Sequence, residues 1–391
     1  FGLPASGRAQ VYAALCRQLD KPLCIVTPGE AEATRFAADL NTLGIPAAVF
    51  PARDYVLRPI EGTAREYEYR RLAVLGELVG GRLRAVAVPA EALTQFTTPK
   101  EDFCANTRTL HAGDTLLRDD LLAALFGAGY TRRAQVDGPG QFSVRGDIVD
   151  IFAPDQKMPV RMEFWGDEID TLHTFDLTTQ RREDAIDKFY LSPAREVLFG
   201  KPADAAEQLR AFLAKQRGKK KTAMADCMAA DLDLLDGGAV PVNMDKYLAV
   251  RYPHPATVLD YFDDPILVAE EPASIREADR ATVYRRGEEL KSLILDGVLC
   301  AGLDNLYADP SYLWSKTGHY RTICAENFAR SMPDQPLKDI INAPAHALPA
   351  WNGEVAGLLE DLKPLCDAGY TVTLLAGTDR AAAGLALSLI H

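Results

Sequence analysis

Apolar positions recur along the first hundred residues at two alternating periods. In stretches 8–19, 30–43 and 65–79 they return every three to four residues, the spacing of one helix face. Between these, stretches 22–26, 47–50 and 84–88 are short, nearly continuous apolar runs. Such runs suit strands buried on both faces. Gly44 and the pair Gly80-Gly81 stop the second and third helical stretches. Helices alternating with buried strands predict a parallel sheet with helices packed on its faces, an α/β class.

The pattern changes near Thr107. A helical stretch at 117–126 closes at Gly127, and runs rich in β-branched and aromatic residues follow at 141–152, 159–165 and 168–175. Gly138-Pro139-Gly140 and Gly166-Asp167 mark turns between them. This predicts a small antiparallel α+β module set into the α/β chain. From Lys201 helices and short strands return, with a strand at 266–269 and a long helix at 275–295. Stretch 332–349 holds Pro333, Pro336, Pro344 and Pro349 and reads as a linker. A helix at 358–368, a strand at 371–376 and a helix at 380–389 then read as the start of a further α/β domain. The expected division is 1–107, 108–195, 196–340 and 341–391, the first and third segments forming one split domain around the second.

Composition narrows the function classes. Apolar residues make up 48% and charged residues 25%, enough for sizeable cores. No apolar run approaches the roughly 18 residues of a membrane span, so no membrane role is expected. The net charge of −12 opposes a stand-alone nucleic-acid binder. The basic run 215–221 reads as a solvated helix end and loop. Seven cysteines are scattered without a Cys-x-x-Cys pair, which fits free thiols in a reducing cytoplasm and gives no metal site. The chain opens at Phe1 and stops at His391 just after a helical pattern, as expected of a piece of a longer protein.

One motif is present in outline only. A phosphate loop needs Gly-x-x-x-x-Gly-Lys-Ser/Thr, whose amides cradle phosphates, whose lysine reaches the terminal phosphates and whose hydroxyl binds Mg²⁺. Here Gly2 and Gly7 keep the glycine spacing, but Arg8 replaces the lysine and Ala9 the hydroxyl. Pro4 removes a further amide. The matching acidic strand end, ordinarily Asp-Glu, is Glu270-Glu271. Losing the hydroxyl and lengthening the first acid leave Mg²⁺ poorly held, so no catalytic residues and no bound nucleotide are expected.

A second feature points to protein recognition. Alternation along Val160-Arg-Met-Glu-Phe-Trp165 puts Val160, Met162 and Phe164 on one face and Arg161, Glu163 and Trp165 on the other. Tryptophan and arginine are enriched at the energetic centres of protein interfaces. Arg145, on the preceding hairpin, is expected to lie beside Arg161. The alternative is that Trp165 packs against a neighbouring domain.

The motifs Gly140-Gln-Phe-Ser-Val-Arg-Gly146, Asp147-Ile-Val-Asp-Ile-Phe152, Pro159-Val-Arg-Met-Glu-Phe164, Gly166-Asp-Glu-Ile169 and Phe175-Asp-x-x-Thr-Gln-Arg181 resemble the insertion domain of transcription-repair coupling factors. Phe50-Pro-Ala-Arg-Asp54 and Gly369-Tyr-Thr-Val-Thr-Leu374 resemble other parts of the same family. The related B subunit of the UvrABC system keeps an intact phosphate loop and an aromatic hairpin, for which residues 55–65 leave no room. The resemblance implies a UvrB-like, helicase-like α/β domain with a degenerate nucleotide site, split by an insertion that binds UvrA. It implies partner contacts at Arg145, Arg161 and Trp165, the last a position where some members carry phenylalanine. It also implies RNA polymerase and DNA as partners, and ATP with Mg²⁺ as cofactors, all of domains outside this chain. The resulting expectation is a UvrA-recruiting module without ATPase activity of its own. The alternatives are a cryptic nucleotidase built on Gly7, Arg8 and Glu271, or a DNA-binding module.

Overall fold

A computed structural model of the chain describes residues 1–60, 64–328, 338–343, 355–372, 374 and 378–390. Its strands are β1 (Leu23–Thr27), β2 (Ala47–Val49), β3 (Ala85–Pro89), β4 (Arg108–His111), β5 (Thr131–Arg132), β6 (Gln141–Arg145), β7 (Ile148–Phe152), β8 (Val160–Trp165), β9 (Glu168–Phe175), β10 (Arg182–Ala185), β11 (Lys188–Leu191), β12 (Ile266–Glu270) and β13 (Arg321–Ala325).

Five strands form a parallel sheet in the order β13-β12-β1-β3-β2. Every residue of β1, β3 and β12 is buried, which is why their sequences are continuous apolar runs rather than alternating ones. Alternate side chains serve two cores. Leu23, Ile25, Ala85, Ala87, Ile266 and Val268 pack with Tyr12, Phe36 and Leu40 from helices Ala5–Leu19 and Glu30–Thr42. Cys24, Val26, Val86, Val88 and Leu267 face Leu72 and Leu75 of helix Glu66–Val79 on the other side. The register Leu23↔Ile266 joins chain segments far apart in sequence, so the sheet is complete only with residues from both sides of the inserted module.

The module is a six-stranded sheet, β10-β9-β8-β7-β6-β5. It is mixed rather than purely antiparallel, because β5 runs parallel to β6 with Thr131 opposite Gln141. One face packs on helix Arg118–Gly127 through Leu121, Leu125, Phe142, Val149, Ile151, Met162, Phe164 and Leu172. The antiparallel pair β4–β11, with Arg108 opposite Leu191, ties the entry of the module to its exit.

A buried ion network fixes the module to the parallel-sheet domain. Arg71, fully buried on helix Glu66–Val79, donates to Glu196 from Nε at 2.6 Å and Nη2 at 3.2 Å, just past β11. Arg53 donates to Asp245 at 2.6 and 3.0 Å, with Glu196 3.3 Å from its Nε. Arg65 donates to Glu68, whose carboxylate also accepts the Glu196 amide at 2.9 Å. Three guanidinium groups meet three carboxylates. Buried charges are tolerated only when paired and hydrogen-bonded in this way.

Segments 198–252 and 290–306 add a helical layer around Tyr247, Leu209, Met228 and Leu303, which includes helices Pro202–Ala214 and Gly218–Asp236. The basic run 215–221 starts as expected, with Lys215 capping helix Pro202–Ala214 and 216–217 in a loop, but its second half opens the next helix, where Gly218, at φ +60°, lets the chain turn and start again. Strand β13 was not expected from the sequence at all. Residues 343–391 form a separate compact unit, with helices Val355–Asp367 and Asp379–Ile390. Thr371, Val372 and Leu374 belong to no strand, contrary to the expected 371–376 strand, whose other positions lie outside the described residues, as does most of the 332–349 linker. No described helix is long and apolar enough to cross a membrane.

Candidate functional site

The outer face of the module sheet, opposite its helix, carries Arg145 on β6 and Arg161 and Trp165 on β8, with β7 between them, so the two arginines are not paired across one hairpin as expected but meet over the intervening strand. The register places Asp150 of β7 directly opposite Arg161 of β8 and opposite Ser143 of β6. Asp150 has no exposed side-chain surface and accepts from both arginines. Arg145 Nη2 donates to Oδ2 at 2.6 Å, and Arg161 donates from Nε to Oδ1 at 2.7 Å and from Nη2 to Oδ2 at 3.0 Å. The second arginine is therefore clamped in bidentate geometry, and its guanidinium also stacks over Phe175 at 4.7 Å. The hydrogen bond donated to Asp150 raises the Arg161 pKa above its ordinary value, so the group stays charged.

Exposure separates the two arginines. The Arg145 side chain is 47% exposed and Arg161 only 11%. Trp165, at the end of β8, is 81% exposed, the largest fraction of any large apolar residue described. Gly146 and Gly166 take φ +61° and +63° in the two tight turns, a region glycine enters without penalty. Those turns end the hairpins abruptly and leave Trp165 at a rim. Leu116 donates its amide to Asp167 O at 2.7 Å, and Arg118 Nη1 donates to Gly146 O at 2.8 Å, so the segment before the module helix buttresses both turns. Glu163, on the same outer face, pairs with Arg182 of β10. The face thus offers a half-open cation held in place, a second cation behind it and a large uncovered aromatic.

The degenerate phosphate loop is filled from within. Gly2 has φ +85°, but helix Ala5–Leu19 begins before Gly7, and the amides of Gly7 and Arg8 already donate to Pro4 O at 2.8 and 3.2 Å. Arg8 is buried at the end of β12. Its Nη1 donates to Glu270, its Nη2 to Glu271 at 2.7 Å and to Asn327 Oδ1 at 3.0 Å, and its Nε to Leu3 O at 3.0 Å. Tyr12, one turn further along the helix, donates its hydroxyl to Glu270. Burial raises the Glu270 carboxyl above its ordinary range, while Tyr12 and Arg8 pull it back. Of the five positions suspected from the sequence, Arg8, Glu270 and Glu271 converge, and their polar groups are spent on each other and on Tyr12, Asn327 and Leu3 O.

Comparison with known proteins bears on the module first. Residues 109–197 match the family model described as the UvrB interaction domain. The chain is 25% identical over 385 residues to a transcription-repair-coupling factor of Bacillus subtilis, covering 96% of this chain and 32% of that protein. It is 35% identical over 208 residues to the Myxococcus xanthus protein of that name, covering 50% and 17%. The Mycobacterium bovis protein is 34% identical over 304 residues, covering 73% and 24%. The chain is a homologue of the N-terminal region of transcription-repair-coupling factors. It spans about a third or less of the length of the curated relatives it matches. On the module face, sequence reasoning singled out the two arginines and the tryptophan but missed Asp150. A signal existed: once the Gly146-Asp147 turn fixes the register, Asp150 falls on the face of Arg161. It likewise missed Tyr12 and Asn327, although Tyr12 lies four residues after Arg8, on the same helix face.

Proposed function

We propose that this chain recruits UvrA to sites of transcription-coupled nucleotide excision repair through the outer face of its module sheet, and that it hydrolyses no nucleotide itself. The observation that carries the reading is the shared Asp150 clamp. It holds Arg145 and Arg161 in fixed positions next to a tryptophan that nothing in the described chain covers. Fixed cations lose little side-chain entropy on pairing with acidic groups of a partner, and an exposed tryptophan gains by entering a pocket. The internal pairing of Arg8 supports the absence of hydrolysis, since phosphate would have to displace two carboxylates from it.

The full-length protein is proposed to act as an ATP-dependent DNA translocase in the cytoplasm. It would engage stalled RNA polymerase and DNA through domains beyond this chain and use ATP with Mg²⁺ there. Two measurements test the proposal. Calorimetry of this chain against purified UvrA should give saturable binding; a folded chain that does not bind contradicts the recruiting role. Millimolar Mg-ATP should leave its melting temperature unchanged, whereas a ligand of the native state would raise it.

A further inference from the structure

A cleft of about 250 Å³ lies beside helix Pro272–Leu295 and shares no lining residue with the module face. Helix Pro272–Leu295 forms one wall through Asp279, Val283, Arg286 and Leu290, and Tyr307 and Pro310 form the other. That volume is below the roughly 300–1,000 Å³ of pockets that enclose whole small-molecule ligands. It suits a single side chain.

The polar groups in the cleft are unevenly satisfied. Arg286 is committed: Nη1 donates to Thr94 Oγ1 at 2.8 Å, Nη2 donates to Glu91 O at 2.8 Å, and the guanidinium lies over the Tyr307 ring at 3.9 Å. Asp279 is only 8% exposed, yet among the described residues it has no hydrogen bond and no ion pair. Its carboxylate opens into the cleft, and Arg286 is the charged group that acts on it. Burial raises this one to about 6, against the pull of Arg286, so it is ionised at neutral pH. Glu91 lies 3.8 Å from Arg286 and also pairs with Arg285. Glu289 and Asp54 act electrostatically on Tyr307. Of the residues that line the cleft only Asp279 carries a carboxylate, and with Arg286 committed to Thr94, Glu91 O and the Tyr307 ring it is Asp279 that is open to a ligand cation.

We propose that this cleft is a second docking point, which takes one lysine side chain of a partner protein with its aliphatic stem along Val283, Leu290 and Tyr307 and its ammonium on Asp279. Lysine fits better than arginine because its charge is compact, and a second planar guanidinium would meet Arg286. A protein occupant fits better than a free amine because the same helix carries Tyr284, 75% exposed, and Val283, 45% exposed, beside the cleft. A small amine would leave these uncovered, whereas a protein surface covers them. The proposal is independent of UvrA recruitment.

The test uses Nα-acetyl-lysine N-methylamide, the matching norleucine compound and n-butylammonium as probes, with saturation-transfer NMR on the whole chain. The lysine probe is expected to bind about tenfold more tightly than norleucine, the worth of one charge-assisted hydrogen bond. Asp279→Asn should erase that preference, and Val283→Trp, at a partly exposed position, should block both probes. Circular dichroism melting shows whether each variant is folded, and either one alone decides the matter. Equal binding of lysine and norleucine probes, or a lysine preference that survives Asp279→Asn, overturns the proposal. Butylammonium is the side chain alone and should bind no more tightly than the lysine probe; binding about tenfold tighter overturns the protein occupant in favour of a free-amine site. The results should be the same in a Trp165→Ala background.

Discussion

Replacing Asp150 by asparagine removes the charge that clamps Arg145 and Arg161 while leaving the shape of the side chain. The buried carboxylate accepts three charge-assisted hydrogen bonds, one from Arg145 and two from Arg161. Breaking a buried pair by removing one partner costs about 3–5 kcal/mol. Two features reduce that figure here. Arg145 is 47% exposed and can turn to water, and Arg161 keeps a bond from Nη1 to Gln180 O at 3.1 Å. A loss of about 2–4 kcal/mol follows, confined to the module because β6, β7 and β8 are the strands that the clamp joins. Hydrogen-exchange mass spectrometry reads this locally. Peptides within 141–165 should exchange roughly 30- to 700-fold faster, at about 1.4 kcal/mol per tenfold, while peptides from β1 and β3 stay unchanged. The double variant Asp150→Leu with Arg161→Met should recover most of the protection, since apolar replacement of a whole buried pair is often neutral. A change below about threefold, or one spread equally over β1, would refute the clamp as the element that stiffens this face.

Two further outcomes concern the junction of module and sheet domain. Arg71→Met leaves Glu196 buried without its closest cation and should destabilise the whole 1–342 unit by about 3–5 kcal/mol in denaturant melts; a loss under 1 kcal/mol would contradict the network's role. Burial opposes ionisation of Glu68, but Arg53 and Arg65 outweigh it and hold the carboxyl at about 2, below its ordinary 4.5. Its folded pKa is depressed, so its contribution is present above about pH 4.5 and lost as the pH falls towards 2. Glu68→Gln should flatten that part of the melting-temperature profile, and an unchanged acid slope would count against the assignment.

The central sheet could be read from the sequence because β1, β3 and β12 are buried on both faces and therefore appear as unbroken apolar runs. Edge strand β13 could not be read in the same way. Its residues are half-covered, and Arg-Thr-Ile-Cys-Ala carries no clear period. The pairing of β4 with β11 was hidden for another reason: two four-residue stretches far apart in the chain give no local signal of each other. At the site, strand alternation put Arg161 and Trp165 on one face without any tertiary information. That Arg161 is nearly covered while Trp165 stands open depends on Asp150 and Phe175, whose positions need the register of three strands. Sequence reading also found that the phosphate loop lacks its lysine and hydroxyl. It could not show that Arg8 turns back onto Glu270 and Glu271, because that contact joins opposite ends of the split domain.

The most direct test of the account is isothermal calorimetry of purified UvrA against the wild-type chain and against Trp165→Ala and Arg145→Ala variants. Trp165 is open to solvent, so its removal should change folding stability by no more than about 0.5 kcal/mol. Arg145→Ala gives up one charge-assisted hydrogen bond to buried Asp150, worth about 1.5–3 kcal/mol, and is compared at a temperature where melting shows it folded. The account predicts saturable binding by the wild type and a loss of at least about 2 kcal/mol, roughly 30-fold in Kd, for Trp165→Ala. Arg145→Ala should lose less and show a weaker dependence on salt than the wild type. Wild-type binding that is unchanged in both variants would place the UvrA surface elsewhere on the chain and contradict the central claim.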